Sequence, residues 1–143
     1  MKTSKYLSIG SISHGTMRPE DLRDAIYWEC KYLRMSREDR REVNAMMRAS
    51  DEDLPDYVDS MFDVLNDYCP VYCYFGATEG DGSDYGCWPC IDQIEEDLEE
   101  GAIVRYNDMP KGYTGTAVDI SDHGNVTLYH VTRGRAREVW CIV

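Results

Sequence analysis

Positive charge is missing from the middle of the chain. Residues 51–100 contain no Lys, Arg or His, although the 143-residue chain has 15 Lys and Arg residues in all. The same segment holds 16 of the 27 Asp and Glu residues, and the net charge of the chain is −12. Such a field repels nucleic acid and acidic membranes and attracts basic surfaces and cations. We therefore expect a basic protein partner, and neither direct nucleic-acid binding nor membrane binding.

Long apolar segments are missing as well. No apolar run approaches the roughly 20 residues that span a bilayer, and the basic start at residues 1–6 is not followed by the apolar segment of a signal peptide. We expect a cytoplasmic protein whose six cysteines are mostly reduced. The 43% hydrophobic and 11% aromatic shares are typical of a folded chain. Its length fits a single domain, residues 1–143.

Common catalytic motifs do not occur. The chain has no Gly-x-Ser-x-Gly, P-loop, dinucleotide fingerprint or His-Glu-x-x-His sequence. The three histidines, His14, His123 and His130, lie in segments that we assign to a loop, a tight turn and a strand. We predict no catalytic residue and no cofactor, and we favour a non-enzymatic protein.

Helical and strand patterns follow one another along the chain. Helical spacing predicts helices from Pro19, over residues 36–48, from Leu54 to the Cys69-Pro70 break, and over residues 91–100 with Gly101 as the end. Strand patterns are found over residues 5–9, 71–75, 102–106, 116–121, 126–132 and 137–143. This order predicts an α+β fold. We expect N-terminal helices packed on one face of an antiparallel sheet of about five strands that ends in a C-terminal meander.

Two stripes of carboxylates are predicted on helices. Aspartates at i, i+3, i+7 and i+11 share one side of the third helix, and a similar set lies on the fourth. The stripes consist of Asp56, Asp59, Asp63 and Asp67, and of Asp92, Glu95, Glu96 and Glu99. Neighbouring carboxylates lie about 5–6 Å apart, comparable with phosphate spacing in nucleic acid. Nucleic-acid mimicry is one interpretation, and a solvated face that keeps the protein soluble is the other.

The segment 79–86 is predicted to be a loop rich in Gly and Asp. Its acids, Glu79, Asp81 and Asp84, offer oxygen ligands for Ca²⁺ or Mg²⁺, but Tyr85 occupies a ligand place of the EF-hand pattern. A small enzyme or a divalent-cation-binding module is therefore one alternative function. We predict no resident metal, and these three acids are assigned to the partner-binding surface instead.

The sequence Cys87-Trp88-Pro89-Cys90 precedes a helix, as the thiol pairs of disulfide-exchange proteins do. A thiol-redox protein that uses Cys87 and Cys90 is thus a further alternative, although the surrounding acids would raise a thiol pKa. Tyr85 and Trp88 are predicted to be aromatic anchors for the partner if they are exposed, since Tyr and Trp are enriched at binding hot spots.

Several stretches together resemble a known group of proteins. They are Ser13-His14-Gly15-Thr16-Met17-Arg18-Pro19-Glu20-Asp21-Leu22; Cys73-Tyr74-Phe75-Gly76 with Glu79-Gly80-Asp81-Gly82 and Trp88-Pro89; and Asp122-His123-Gly124-Asn125-Val126-Thr127-Leu128-Tyr129 with Glu138-Val139-Trp140. The chain resembles small acidic proteins encoded by bacteria and by their phages, plasmids and conjugative elements. The resemblance spans most of the chain and assigns no catalytic residues to it. It implies a mobile-element setting, in which small acidic proteins that block host defence are common.

The leading hypothesis combines the charge pattern with this resemblance. We expect an interaction protein that binds and inhibits a basic, nucleic-acid-handling defence protein of the host, of the anti-CRISPR or anti-restriction type. The acidic segment 51–100 would form the contact surface. The charge pattern leaves the oligomeric state open.

Overall fold

The computed structural model describes residues 3–142. The chain divides into two compact units, residues 1–89 and 90–143, and each is described by itself. Unit 1 contains β1 (Gly10–Ser13), α1 (Pro19–Lys31), α2 (Arg37–Arg48), α3 (Leu54–Asn66), β2 (Cys73–Thr78) and β3 (Asp81–Pro89). Unit 2 contains α4 (Ile91–Glu100), β4 (Val104–Arg105), a 3-10 helix (Tyr106–Asp108), β5 (Gly115–Ile120), β6 (Val126–Thr132) and β7 (Arg135–Ile142). The predicted α+β class is confirmed.

Local signals place the helix ends. Pro19 opens α1, where its fixed backbone angle suits the first helical position. The Ser36 hydroxyl accepts a hydrogen bond from the Asp39 N–H at 3.1 Å and caps α2. Gly101 ends α4 with a left-handed φ of 78°, which glycine adopts without steric cost. These ends lie where the sequence predicts them.

The core of unit 1 lies between the three helices and a sheet. Its buried side chains come from the three helices, from β2 and β3, and from the segments between them, and β1 adds the partly buried Ile12. The helix α3 contributes the largest share, with Leu54, Val58, Met61 and Leu65. No polar or charged residue among residues 3–142 is buried. The strong helical period of α3 therefore marks the helix that the core forms around.

Polar side chains tie the helices of unit 1 together at the rim of this core. The Arg40 guanidinium donates to the carbonyl oxygen of Cys30 at 2.7 Å and to that of Leu33. The Cys30 carbonyl lies in the last turn of α1 and the Leu33 carbonyl just beyond the helix, so this side chain ties α2 to the end of α1. The Tyr68 hydroxyl donates to the Asp39 carboxylate at 2.5 Å, which joins the end of α3 to the start of α2.

The sheet of unit 1 has three antiparallel strands in the order β1-β3-β2. The predicted loop 79–86 is wrong, because Glu79 and Gly80 form a short turn and β3 begins at Asp81. Gly and Asp are depleted in strands, so their density misled the prediction. The Cys87-Trp88-Pro89 sequence before α4 also belongs to this strand, with Cys87 paired to both Phe75 and Gly10.

Two strand boundaries in unit 1 also differ from the prediction. Residues 5–9 make no strand, and β1 lies instead at Gly10–Ser13. Leu7 is buried there, and its N–H is held by the Tyr68 carbonyl. The strand β2 begins at Cys73 and not at residue 71, because Tyr72 has a left-handed φ of 65° that interrupts extended backbone.

A close backbone approach joins β1 to β3. A Cβ atom at Gly86 would lie 2.1 Å from the Gly10 carbonyl oxygen and 2.9 Å from the Ser11 Cα atom. Both atoms belong to the backbone of β1, so neither can rotate away. The three-stranded sheet therefore requires glycine at position 86.

Unit 2 contains a four-stranded sheet in the order β4-β5-β6-β7. The short strand β4 is parallel to β5, and the other neighbours are antiparallel. The predicted C-terminal meander is confirmed as β5-β6-β7. The β6–β7 turn uses Arg133 and Gly134 at φ values of 50° and 81°, as a tight hairpin turn requires.

The prediction of one sheet with about five strands is wrong in its arrangement. The described residues form one sheet of three strands and one of four. The missing strand was the glycine-rich β3, which pairs with β2 on one side and with the distant β1 on the other. Pairing over such a separation in the chain leaves no periodic signal in β3 itself.

We predict that Gly86→Ala destabilises unit 1 by about 3 kcal/mol or more, because the added methyl group displaces the β1 backbone. The matched control is Gly82→Ala in the same strand, where an added Cβ meets nothing within 4 Å. This control should change stability by less than about 0.5 kcal/mol. Urea unfolding followed by circular dichroism measures both variants, and equal losses would contradict the close approach.

Candidate functional site

The first predicted stripe lies on the exposed side of α3. Asp56, Asp59 and Asp63 are exposed on the helix, and the exposed Asp67 is its C-terminal cap residue. The two ion pairs among residues 3–142 join Arg18 to Glu20 and Arg23 to Asp24, so neither involves this stripe. The buried side chains of α3 take up its other side. We call these four residues the α3 stripe.

The second predicted stripe lies on α4 in unit 2. Its four members, Asp92, Glu95, Glu96 and Glu99, are all exposed, and none of them belongs to either ion pair. We call them the α4 stripe. Glu95 and Glu99 also line a groove of about 500 Å³ together with Arg105 and Asp108. The two stripes belong to different units, and each is therefore a separate candidate surface.

The turn between β2 and β3 displays the acids of segment 79–86. Glu79 and Asp81 are exposed. Asp81 Oδ1 accepts hydrogen bonds from the Ser83 N–H at 3.0 Å and from the Ser83 hydroxyl at 2.9 Å. These two donors hold the pKa of Asp81 below its ordinary value, and the backbone N–H has the larger effect. The charge of the nearby His14 makes a smaller contribution. Asp84 is half-buried and accepts from the Ser11 hydroxyl at 2.5 Å.

The two predicted aromatic anchors are not equivalent. Tyr85 is 8% exposed and packs against Phe62, with ring centroids 5.4 Å apart. It is a core residue, so the exposure on which its predicted role as an anchor depends is not met, because β3 turns that side chain toward the helices. Trp88 is half-buried, and its indole N–H donates to the Gly76 carbonyl at 2.9 Å. Other aromatic side chains are more exposed, with Trp28 on α1 at 57%.

The divalent-cation hypothesis finds no geometric support. Among residues 3–142, no group of three or more His, Cys, Asp or Glu side chains is arranged to hold a metal ion. Because β3 is extended, Asp81 and Asp84 do not converge on one point as the acids of a calcium loop do. Asp81 instead accepts hydrogen bonds from Ser83, and Asp84 accepts one from Ser11.

The three buried thiols of unit 1 are poorly placed for disulfide exchange. Cys87 is fully buried at the centre of the sheet, and its thiol makes a hydrogen bond with that of the buried Cys69. This hydrogen bond and burial raise the pKa of Cys69. Burial also raises the pKa of Cys30 to about 12. Disulfide exchange needs an accessible thiolate, and the buried Cys87 lacks this property, whereas Cys90, the other cysteine of the redox hypothesis, is half-buried at the start of α4.

Sequence inspection missed a groove in unit 1 that contains none of the predicted site residues. It has a volume of about 470 Å³ and lies between the end of α2 and the start of α3. The residues that line it are Arg41, Ala45, Arg48, Ala49, Ser50, Asp53 and Tyr57. The helical spacing of Arg41, Ala45 and Arg48 was the signal available in the sequence.

Comparison with known proteins gives no match: no protein-family model fits the chain, and neither a curated protein nor a solved structure is significantly similar to it. Among the described residues, no helix is both long and apolar enough to cross a membrane. The candidate surfaces therefore have to be interpreted from their own chemistry.

We predict that Ser83→Ala raises the pKa of Asp81 toward its ordinary value, since one of the two serine donors is removed. In the wild type the lowered pKa contributes stability above the ordinary value of 3.8, and this contribution is lost as the pH falls through the lowered value. An NMR titration of the aspartate carboxyl signals measures the change, with Ser60→Ala on α3 as control. An unchanged Asp81 titration in Ser83→Ala would contradict the assigned hydrogen bonds.

We predict that a thiol alkylating agent modifies the exposed Cys141 first in the native protein, while Cys30, Cys69 and Cys87 stay protected. Burial is the reason, because it limits both access and ionisation of the thiol. Mass spectrometry of peptides after timed labelling gives the order of modification, and labelling in denaturant is the control. Modification of Cys87 before Cys141 would instead favour the redox hypothesis.

Proposed function

We propose that the protein is a non-enzymatic interaction protein that binds a basic, nucleic-acid-handling protein through the exposed carboxylates of its helices. The observation that carries this proposal is the eight-residue set formed by the α3 and α4 stripes, which is exposed throughout and takes part in neither ion pair of the described residues. Unpaired surface carboxylates keep their full charge for a partner. They also steer a positively charged protein toward the surface before contact.

Two stripe acids lie at helix C-termini, where a negative charge is unfavourable for folding. Asp67 caps the C-terminus of α3, and Glu99 lies in the last turn of α4, where the helix dipole favours positive charge. Neither helix has a basic residue in its last turn. Each such acid costs roughly 0.3–1 kcal/mol, whereas Asp56 and Asp92 in first turns are favourable. A cost of this kind, not needed for solubility alone, supports a role in binding.

The spacing of the carboxylates and the resemblance to mobile-element proteins make the proposal more specific. Carboxylates three or four residues apart on a helix lie about 5–6 Å from one another, so each stripe offers a row of charges to a surface that binds phosphates. The resemblance to small acidic proteins of phages and plasmids favours inhibition of a host defence protein, of the anti-CRISPR or anti-restriction type, in the bacterial cytoplasm. Duplex DNA should then compete with this protein for the partner.

We predict that charge reversal at Asp59 and Asp63 weakens partner binding by about tenfold, because two attractive contacts become repulsive. The matched control reverses Glu38 and Glu42, an exposed pair at the same i, i+4 spacing on α2. The first measurement is affinity capture from a bacterial lysate at low salt, with mass spectrometry of the retained proteins. The affinity of the purified partner for each variant is then measured.

Three results together support the proposal: a retained basic nucleic-acid-binding protein, its release as salt shortens the Debye length, and its loss in the α3 variant only. Reversal of Glu95 and Glu99 tests the α4 stripe in the same way. Capture that is equal at low and high salt, or equal losses in the α3 variant and the α2 control, would refute a specific electrostatic surface.

A further inference from the structure

The groove between α2 and α3 is lined by the small residues Ala45, Ala49 and Ser50 and by four larger ones. Arg41, Ala45 and Arg48 follow one another at i, i+4 and i+7, so they share one face of α2. The methyl group of Ala45 leaves space between the two long arginine side chains. Tyr57 on α3 lines the same groove and is 36% exposed. The groove therefore presents two cations, one carboxylate and one aromatic ring.

Neither guanidinium at this groove has an ion-pair or hydrogen-bond partner among residues 3–142. Both Arg41 and Arg48 are exposed, and neither takes part in the two ion pairs of the described chain. Arg40, the neighbour of Arg41, differs in that its guanidinium donates to the carbonyl oxygens of Cys30 and Leu33. In a chain of net charge −12, two free guanidinium groups at one groove form a local positive site. Paired guanidinium groups match the geometry of a phosphate group.

The remaining lining residues distinguish among phosphate-containing ligands. The Ser50 hydroxyl accepts the Asp53 N–H at 3.3 Å, and its own proton stays available for a phosphate oxygen. The Asp53 carboxylate also lines the groove, where it opposes a bare anion but accepts hydrogen bonds from amino or hydroxyl groups. The Tyr57 ring offers a stacking surface for a planar heterocycle.

We infer that this groove binds a nucleoside monophosphate: Arg41 and Arg48 hold the phosphate, Tyr57 stacks on the base, and Asp53 accepts from base or ribose donors. The groove volume of about 470 Å³ lies in the range of small-molecule sites. A free mononucleotide fits better than a nucleic-acid strand, since the negative field of the chain repels a polyanion over longer distances. This binding uses none of the residues of the carboxylate stripes and goes beyond the proposed function.

The test is an NMR titration of the full-length, isotope-labelled protein with adenosine monophosphate, and inorganic phosphate and adenosine are titrated in parallel. The expected result is saturable shifts of the amide signals of Ala45, Ala49 and Ser50 with the nucleotide. The Arg41→Gln, Arg48→Gln double variant should bind at least about tenfold more weakly. Tyr57→Leu should lose about tenfold as well, since it removes the stacking surface.

The matched control is the Arg34→Gln, Arg37→Gln double variant, which removes the same charge from exposed arginines outside the groove. It should bind the nucleotide as the wild type does. The inference is overturned if no signal saturates, if the control variant loses as much affinity as the groove variant, or if phosphate or adenosine alone binds as tightly as the nucleotide. Tighter binding of a phosphorylated oligothymidine would overturn the assignment to a free mononucleotide.

Discussion

The contact between the backbones of β1 and β3 is the constraint on which unit 1 depends. At Gly86 the two strands come so close that a Cβ atom would fall 2.1 Å from the Gly10 carbonyl oxygen. This approach makes β3 the central strand of the sheet, flanked by β1 and β2. The neighbouring residues Tyr85 and Cys87 are buried in the core as a result. The acids at the other end of β3, beginning with Asp81, are left at the exposed β2–β3 turn.

An apolar core leaves the surface to carry all of the charge. No polar or charged residue is buried among residues 3–142, so the excess carboxylates all have access to solvent. Within unit 1, the same helix α3 contributes Asp59 to an acidic stripe and Tyr57 to a groove with two free arginines. Salt limits the reach of exposed charges to about 8 Å at physiological ionic strength. Local surfaces of opposite sign can therefore lie side by side on one small protein.

Local chemistry made much of the fold predictable from the sequence. The helix starts at Pro19 and after Ser36, and the end of α4 at Gly101, follow from backbone preferences and capping by residues next to them in the chain. The C-terminal meander was predictable because each of its strands pairs with the next one along the chain. The exposure of the stripe acids also followed, because the apolar period of α3 fixed which side is buried.

The sequence by itself thus determined the fold class, the helices and the acidic character of their exposed sides. Only the tertiary structure decided that the glycine-rich segment is a strand, that Tyr85 belongs to the core, and that Arg41 and Tyr57 line one groove. The physical reason is distance along the chain. Gly86 packs against the backbone of Gly10, which is far away in the sequence. The residues next to either partner give no signal of such a pairing.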